Sequence, residues 1–94
     1  MKHKLYPNLF SKGMIGNIQV KNRIAKMSMG TYLNDNGYVT RDNLLSAAEV
    51  ADGGFGLVFV ECAQPEHDYH AGLCIADDTY VPGLTKLAEI VHDH

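Results

Sequence analysis

Short apolar stretches separated by turn-forming residues run through this chain of 94 residues. Residues 9–23, LFSKGMIGNIQVKNR, place short apolar stretches on either side of Gly13, Gly16 and Asn17, and this turn chemistry flanked by β-formers predicts a small hairpin. RIAKMSM, residues 23–29, then predicts a strand. FGLVFVEC, residues 55–62, is a continuous apolar run of the kind that forms a parallel strand buried on both faces.

The segment RDNLLSAAEVAD, residues 41–52, has the apolar spacing of an amphipathic helix. Thr40 fits its N-cap, and Gly53-Gly54 ends it, because glycine commonly follows a helix C-terminus. Ahead of the helix, Asn36-Gly37 predicts a tight turn. The predicted buried positions of the helix are Leu44, Leu45, Ala48 and Ala51.

A second helix is predicted over residues 78–94. Its cap is Asp78 or Thr79, and Pro82 falls in the first turn, where a missing N–H does little harm. Residues 63–77, between the second strand and this helix, are predicted to form a long polar loop. The predicted apolar stripe of the helix is Leu84, Leu87, Ala88 and Val91.

The resulting order of hairpin, strand, helix, strand and helix predicts an α/β fold with parallel strands. Two parallel strands leave both outer edges unpaired and cannot bury a layer of helices well. The sequence therefore predicts one incomplete domain, residues 1–94, that belongs to a larger fold.

The composition is that of an ordinary globular chain, with 46% hydrophobic and 20% charged residues. No apolar run approaches the ~20 residues that a membrane helix needs, and MKHKLYPNLF lacks the apolar centre of an export signal. These features predict a cytoplasmic protein. Cys62 and Cys74 are accordingly predicted to be free thiols, with a disulfide between them as the alternative.

The net charge of −3 conceals an uneven distribution, because only Arg41 and Lys86 of the eight Lys and Arg residues follow Asp35, the first acid. A basic half can mark a nucleic-acid contact. Here the basic residues stand singly, without interleaved aromatic side chains, which favours ordinary solvated charge. We therefore expect no nucleic-acid partner, and a basic nucleic-acid-binding arm is the alternative.

Candidate chemistry lies where the two predicted strands end, because ligands of parallel α/β folds bind at the carboxyl ends of the strands. These ends are MSMG, residues 27–30, and ECAQ, residues 61–64. Gly30 lets the backbone approach a ligand, and methionine offers a polarizable surface. The alternative is a plain strand end with a turn glycine. Tyr32 either faces a pocket or packs on its rim.

A different candidate is the loop pair His67 and His70, whose His-x-x-His spacing is compatible with zinc. Loops rich in His and Asp are more often simply solvated. A self-contained metal- or ligand-binding α/β domain that uses this pair is kept as the alternative function.

Three segments together resemble the old yellow enzyme family. LYPNLFSKGMIGNIQVKNRIAKMSMGTYL followed by GYVT is similar to the family opening, and more narrowly to the NADH:flavin oxidoreductase branch with 2,4-dienoyl-CoA reductases and enoate reductases. DGGFGLVFVECA resembles the second barrel strand, and DDTYVPGLTKLAEIVHDH resembles the second helix. The resemblance covers nearly the whole chain.

The resemblance implies an FMN-binding TIM (β/α)₈ barrel, in which residues 1–22 form the closing hairpin and residues 23–94 form the first two βα units. Such a barrel needs ~250 residues. The chain is therefore expected to be an N-terminal portion that is inactive alone and holds no catalytic residue. Any iron–sulfur cluster or FAD would belong to further sequence, and the whole protein is expected to be a homo-oligomer.

The family chemistry passes hydride from NADH or NADPH through FMN to an activated alkene, such as an acyl-CoA, an aromatic enoate or a steroid-like enone. By position, Tyr32 is implied to face the substrate. The implied FMN contacts are Met27, Ser28, Met29, Gly30 and Cys62.

Two positions depart from the family pattern. Relatives often carry Thr or Cys at the position of Gly30, where the side chain tunes the flavin potential, so glycine removes that group unless Thr31 substitutes for it. Cys62 is larger than the alanine or glycine that is common there.

Overall fold

The structure is a computed structural model that describes residues 5–66 and 72–94. It contains one antiparallel hairpin, two short parallel strand pairs and two helices. In chain order, the elements are β1 Gly13–Ile15, β2 Ile18–Val20, β3 Ala25–Lys26, α1 Arg41–Asp52, β4 Leu57–Val58, β5 Ala63–Gln64, β6 Leu73–Cys74 and α2 Val81–His92, with a 3₁₀ turn at Asp78–Tyr80 ahead of α2.

The predicted hairpin is confirmed, because β1 pairs antiparallel with β2 across Gly16 and Asn17. Arg23 follows the hairpin and ties it to the preceding segment. Its Nε donates to the Ser11 hydroxyl at 3.1 Å, and its Nη2 donates to the Lys12 carbonyl at 3.0 Å. Arg23, which lies just before β3, therefore fixes the segment that leads into the hairpin.

The predicted parallel strands are also confirmed, although the strands are short. β3 pairs with β4 through only two residue pairs, Ala25 opposite Leu57 and Lys26 opposite Val58. The described strands form three separate two-stranded sheets, and no closed barrel is present in this part of the chain. The fold is therefore a small mixed α/β arrangement with a parallel strand pair.

Asn22 fastens the amino end of this strand pair. Its Nδ2 donates to the Gly54 carbonyl at 2.7 Å, and its Oδ1 accepts the Ile24 N–H at 3.0 Å. The side chain is buried, so each of these bonds replaces a lost contact with water. Asn22 thus joins the start of β3 to the turn that precedes β4.

Thr40 caps α1 as predicted. Its Oγ1 accepts the Asn43 N–H at 3.2 Å, and the Asn43 Oδ1 accepts the Thr40 N–H at 2.9 Å, which completes a reciprocal capping box. The buried face of α1 differs from the predicted one: Leu45 is 54% exposed and Leu44 is half-buried. Ala51 is buried as predicted, and the other two buried positions are Asn43 and Ala47, so that the buried residues recur every four positions.

The apolar core lies between α1, α2 and β6. Its buried centre is Ala47, Leu73 and Leu87, and the half-buried side chains around it are Val39, Leu44, Val60, Leu84 and Val91. The prediction for Ala88 was wrong, because this residue is exposed on α2. Neither helix in the described ranges has the length and apolar character of a membrane span.

Residues 63–77 do not form the simple polar loop that was predicted. β5 and β6 pair in parallel within this segment, and both residues of β6 are buried. The prediction failed because two-residue strands are too short for a periodic pattern. The predicted cap of the second helix, Asp78 or Thr79, was wrong: α2 begins at Val81, and its N-cap residue Tyr80 makes no side-chain cap bond. The Asp77 side chain instead caps the preceding 3₁₀ turn by accepting the Thr79 N–H at 2.8 Å.

The predicted turn at Asn36-Gly37 is confirmed, and β6 packs directly against it. Gly37 has a φ of +86°, and its carbonyl accepts the Cys74 N–H at 2.9 Å. A Cβ added at Gly37 would lie 2.5 Å from the Cys74 Cβ, which is too close for two carbon atoms. The position therefore requires glycine for conformation and for space.

We expect Gly37→Ala to destabilise the chain more than Gly16→Ala does. Gly16 also has positive φ, at +60°, but a Cβ there meets nothing within 4 Å, so its substitution reports backbone strain alone. The added contact with Cys74 should cost about a further 1–3 kcal/mol and speed amide exchange of the peptide that contains Cys74. Equal exchange of this peptide in the two variants would contradict the packing of β6 on this turn.

Candidate functional site

The carboxyl ends of β3 and β4 lie side by side, as the parallel topology predicts. A Cβ built on Gly30 would lie 3.4 Å from the Cys62 Sγ, which is an ordinary van der Waals contact. The segments 27–30 and 61–64 are therefore brought together at this edge. Their roles in binding a ligand stay predictions.

The other predicted site residues have largely exposed side chains around this edge. Met27 is 66% exposed, Met29 is 71% exposed and Tyr32 is 75% exposed, while Ser28 and Cys62 are also on the surface. They do not line a single enclosed pocket. Met29 and Gly30 line a cavity of about 190 Å³ against α1, and this cavity does not include the other four residues.

Glu61, which was not among the predicted site residues, organises this edge. Its Oε1 accepts the backbone N–H of Thr31 at 3.0 Å, and its Oε2 accepts the Thr31 hydroxyl at 2.7 Å. The Asn43 Nδ2 also donates to Oε2, at 3.2 Å. One carboxylate therefore connects the segment after β3, the segment after β4 and the first turn of α1.

The network continues into the loop between β3 and α1. The Thr40 hydroxyl donates to the Leu33 carbonyl at 2.7 Å, and the Leu33 N–H donates to the Thr31 hydroxyl at 3.3 Å. Asn43, which links Glu61 to the capping box, is only 1% exposed. The helix cap and the strand ends thus belong to one hydrogen-bonded unit.

Two residues at this edge have left-handed backbone conformations. Tyr32 has a φ of +59° and Glu61 a φ of +54°, which non-glycine residues seldom adopt. Such conformations cost about 1–3 kcal/mol each and persist where surrounding contacts enforce them. The hydrogen bonds of Thr31 and Glu61 supply that enforcement.

The same network includes Thr31, the residue named as a substitute for the side chain that Gly30 lacks, and this substitution stays a prediction. The Thr31 hydroxyl donates to Glu61 and accepts from Leu33, so it is already engaged. In this structure both of these hydrogen bonds join the Thr31 hydroxyl to other residues of the protein. One sequence signal could have identified Glu61: it is an acid that directly follows an apolar run, where a charged group needs donors close by.

A second cluster, formed by Tyr38, Cys74 and Tyr80, lies under the Asn36-Gly37 turn. The rings of Tyr38 and Tyr80 have centroids 4.4 Å apart, and the buried Cys74 thiol is hydrogen-bonded to Tyr80. This hydrogen bond and the burial of the ring raise the pKa of Tyr80 to about 12. Tyr80 is a buried residue that packs against Tyr38.

The alternative metal site cannot be located, because His67 and His70 lie outside the described residues. Within the described ranges, no three His, Cys, Asp or Glu side chains are placed to hold a metal ion. Cys62 and Cys74 are free thiols, as predicted.

The chain is similar in sequence to a much longer protein. It is 40% identical over 96 residues to an NADH oxidase from Thermoanaerobacter brockii, an alignment that covers 95% of this chain but 14% of the oxidase. The chain therefore spans about a seventh of that relative's length. No family model matches the chain.

Two solved structures are similar to the fold. A 2-naphthoyl-CoA reductase in complex with 2-naphthoyl-CoA matches with a TM-score of 0.85 and 29% identity, over 95% of this chain and 14% of the reductase. An old yellow enzyme from Pichia sp. AKU4542 matches with a TM-score of 0.74 and 28% identity, over 92% of this chain and 23% of the enzyme.

The geometry predicts different reactivities for the two thiols. Cys62 is exposed at the strand ends and should react readily with a maleimide in the native chain, while Cys74 is 1% exposed and should react only after denaturation. Mass spectrometry of digested, labelled protein would locate the modified residue. Rapid native labelling of Cys74 would contradict the packing of β6.

Proposed function

We infer that this chain, whose sequence and fold match the N-terminal segment of the old yellow enzyme-like NADH:flavin oxidoreductases, supplies one wall of a flavin site. The family resemblance found in the sequence is confirmed by the relatives and by the solved structures. We propose FMN as the flavin and NADH or NADPH as the reductant.

One observation carries this proposal: at the carboxyl ends of two neighbouring parallel strands, the Cys62 Sγ lies 3.4 Å from the position that a Cβ on Gly30 would take. This edge is where α/β folds bind their ligands. Because Gly30 has no side chain, its backbone is accessible beside the Cys62 thiol. The exposed Met27 side chain adds a polarizable apolar surface, which suits contact with an aromatic ring.

We further propose that the fold is the beginning of a (β/α)₈ barrel, with residues 1–22 closing its bottom and residues 23–94 forming two βα units. The exposed face of the β3–β4 pair supports this proposal. Val60 packs against the core, and Phe59, which strand alternation turns to the opposite face, is 45% exposed. In a barrel, that face would be covered by the remaining strands.

Bound FMN would supply the chemistry by which hydride passes from the reduced nicotinamide to an activated alkene. The residues of this chain would position the ring and exclude water from one side of it. Ser28 lies between the two exposed methionines and would contribute backbone contacts. Glycine at position 30 leaves no side chain to tune the flavin, and Cys62 contributes a thiol to the same surface.

For the substrate we propose an activated alkene of the acyl-CoA, aromatic enoate or steroid-like enone type. The similarity to a reductase that binds 2-naphthoyl-CoA supports an aromatic acyl-CoA. Tyr32 is proposed to contact this substrate, because its side chain is 75% exposed and follows directly after the flavin-facing segment. The residues that polarise and protonate the alkene would lie outside residues 1–94.

A chimeric enzyme tests this proposal. Residues 1–94 replace the aligned segment of the Thermoanaerobacter brockii NADH oxidase, and the purified chimera is assayed for bound flavin and NADH oxidation, with the unaltered oxidase as reference. We expect stoichiometric FMN, identified by chromatography after denaturation. Addition of 2-naphthoyl-CoA, cinnamate or an enone should then reveal alkene reduction with one of them. A folded chimera without flavin would refute the proposed function.

The isolated chain gives a second test. We expect the purified 94 residues to bind FMN weakly or not at all, and to self-associate through the unpaired strand edges and the exposed Met27 and Phe59. Fluorescence titration with FMN and analytical ultracentrifugation measure the two properties. A monomer that melts cooperatively and binds FMN tightly would show instead that residues 1–94 form a complete site.

A further inference from the structure

We propose that Glu61 is a positioning residue for the flavin: its carboxylate fixes Thr31 and thereby sets the shape of the surface formed by Met27–Gly30. This inference rests on the proposed function. The residue itself is not placed against the flavin. It acts through Thr31, which directly follows the flavin-facing segment.

The contact between Glu61 and Thr31 restrains both the backbone and the side chain of Thr31. The two carboxylate oxygens accept from two different groups of the same residue, the N–H at 3.0 Å and the hydroxyl at 2.7 Å. Hydrogen bonds to an ionised carboxylate are stronger than those between neutral groups. A residue held at two points in this way can neither rotate its side chain nor shift its peptide freely.

Glu61 is itself anchored from a third direction. The buried Asn43 donates to Oε2 at 3.2 Å, and Asn43 is in turn fixed by the capping box of α1. The orientation of the carboxylate is therefore set by a helix end. Glu61 also holds a left-handed conformation with a φ of +54°, which its three hydrogen bonds enforce.

The restrained residues are direct chain neighbours of the proposed flavin surface. Thr31 follows Gly30 and Glu61 precedes Cys62, and the Cys62 Sγ lies 3.4 Å from the position that a Cβ on Gly30 would take. The bonds between Glu61 and Thr31 therefore hold the two halves of this surface together. Without them, the segment before Thr31 would be free to move away from Cys62.

A carboxylate is the group that this arrangement requires. Three donors point at Glu61, and a carboxylate can accept all three because it carries no proton. A glutamine of the same size would turn an NH₂ group toward at least one donor. Glu61→Gln thus preserves the volume of the side chain while breaking part of the network, and Thr31→Val removes the hydroxyl alone.

The test uses the chimera described above with the variants Glu61→Gln, Thr31→Val, Thr31→Ser and the double variant Glu61→Gln/Thr31→Val. Glu49→Ala, on the exposed surface of α1, is the matched control for loss of a carboxylate. Three properties are measured: the Kd of FMN for the flavin-stripped protein, the reduction potential of the bound flavin, and amide hydrogen exchange of the peptide that contains Thr31 without flavin.

We expect Glu61→Gln and Thr31→Val each to weaken FMN binding by about tenfold, to shift the reduction potential and to speed exchange in the Thr31 peptide, because each breaks a charge-assisted hydrogen bond. Thr31→Ser keeps the hydroxyl, so its FMN affinity, reduction potential and amide exchange should match those of the unmutated chimera. The double variant should lose less affinity than the sum of the two single losses, because both changes remove the bond between Glu61 and the Thr31 hydroxyl while each also affects a separate contact. Glu49→Ala should leave FMN binding and potential unchanged.

Two results would overturn the inference while leaving the proposed function intact. One is an unmutated chimera that binds FMN while Glu61→Gln binds it as tightly as Glu49→Ala does. The other is a double variant in which the two losses add fully, because Glu61 would then act independently of Thr31. An unmutated chimera without flavin would instead refute the proposed function itself.

Discussion

The register of β3 against β4 is the constraint on which the rest of this structure depends. Only two residue pairs form the ladder, which is too little to fix two strands by backbone hydrogen bonds alone. Buried or half-buried polar side chains secure both ends: Asn22 holds the amino end through Gly54, and Glu61 holds the carboxyl end through Thr31. Each contact joins residues about thirty positions apart, so each acts as a tertiary restraint on the strand pair.

The helices depend on the same restraints. α1 connects the two strands, and its buried Asn43 belongs both to its own cap and to the Glu61 network. The first turn of the helix is therefore fixed to the strand ends through hydrogen bonds. The rest of α1 packs against α2, where Ala47 shares the core with Leu87 of α2 and Leu73 of β6.

The polar network adjoins the proposed ligand surface. Met29 and Gly30 line the same cavity as Glu61 and Asn43, whereas Met27 and Cys62 are exposed. A carboxylate with three donors is already largely satisfied, so it presents little unpaired charge to a neighbouring ligand. This arrangement suits the proposed flavin, because the protein can fix the ring by shape and leave the hydride chemistry to the cofactor.

The sequence by itself determined the local structure and the family. Turn and cap residues such as Gly37 and Thr40 act on near neighbours in the chain, and the apolar runs specified two parallel strands and two helices. Only the tertiary structure revealed β5 and β6, the burial of Asn43 and Ala47 in place of Leu45, and the role of Glu61. The physical reason is that these features arise between segments distant in sequence. A strand of two residues is too short to show a hydrophobic period. The hydrogen bonds of a carboxylate can be identified only when the positions of its donors are known.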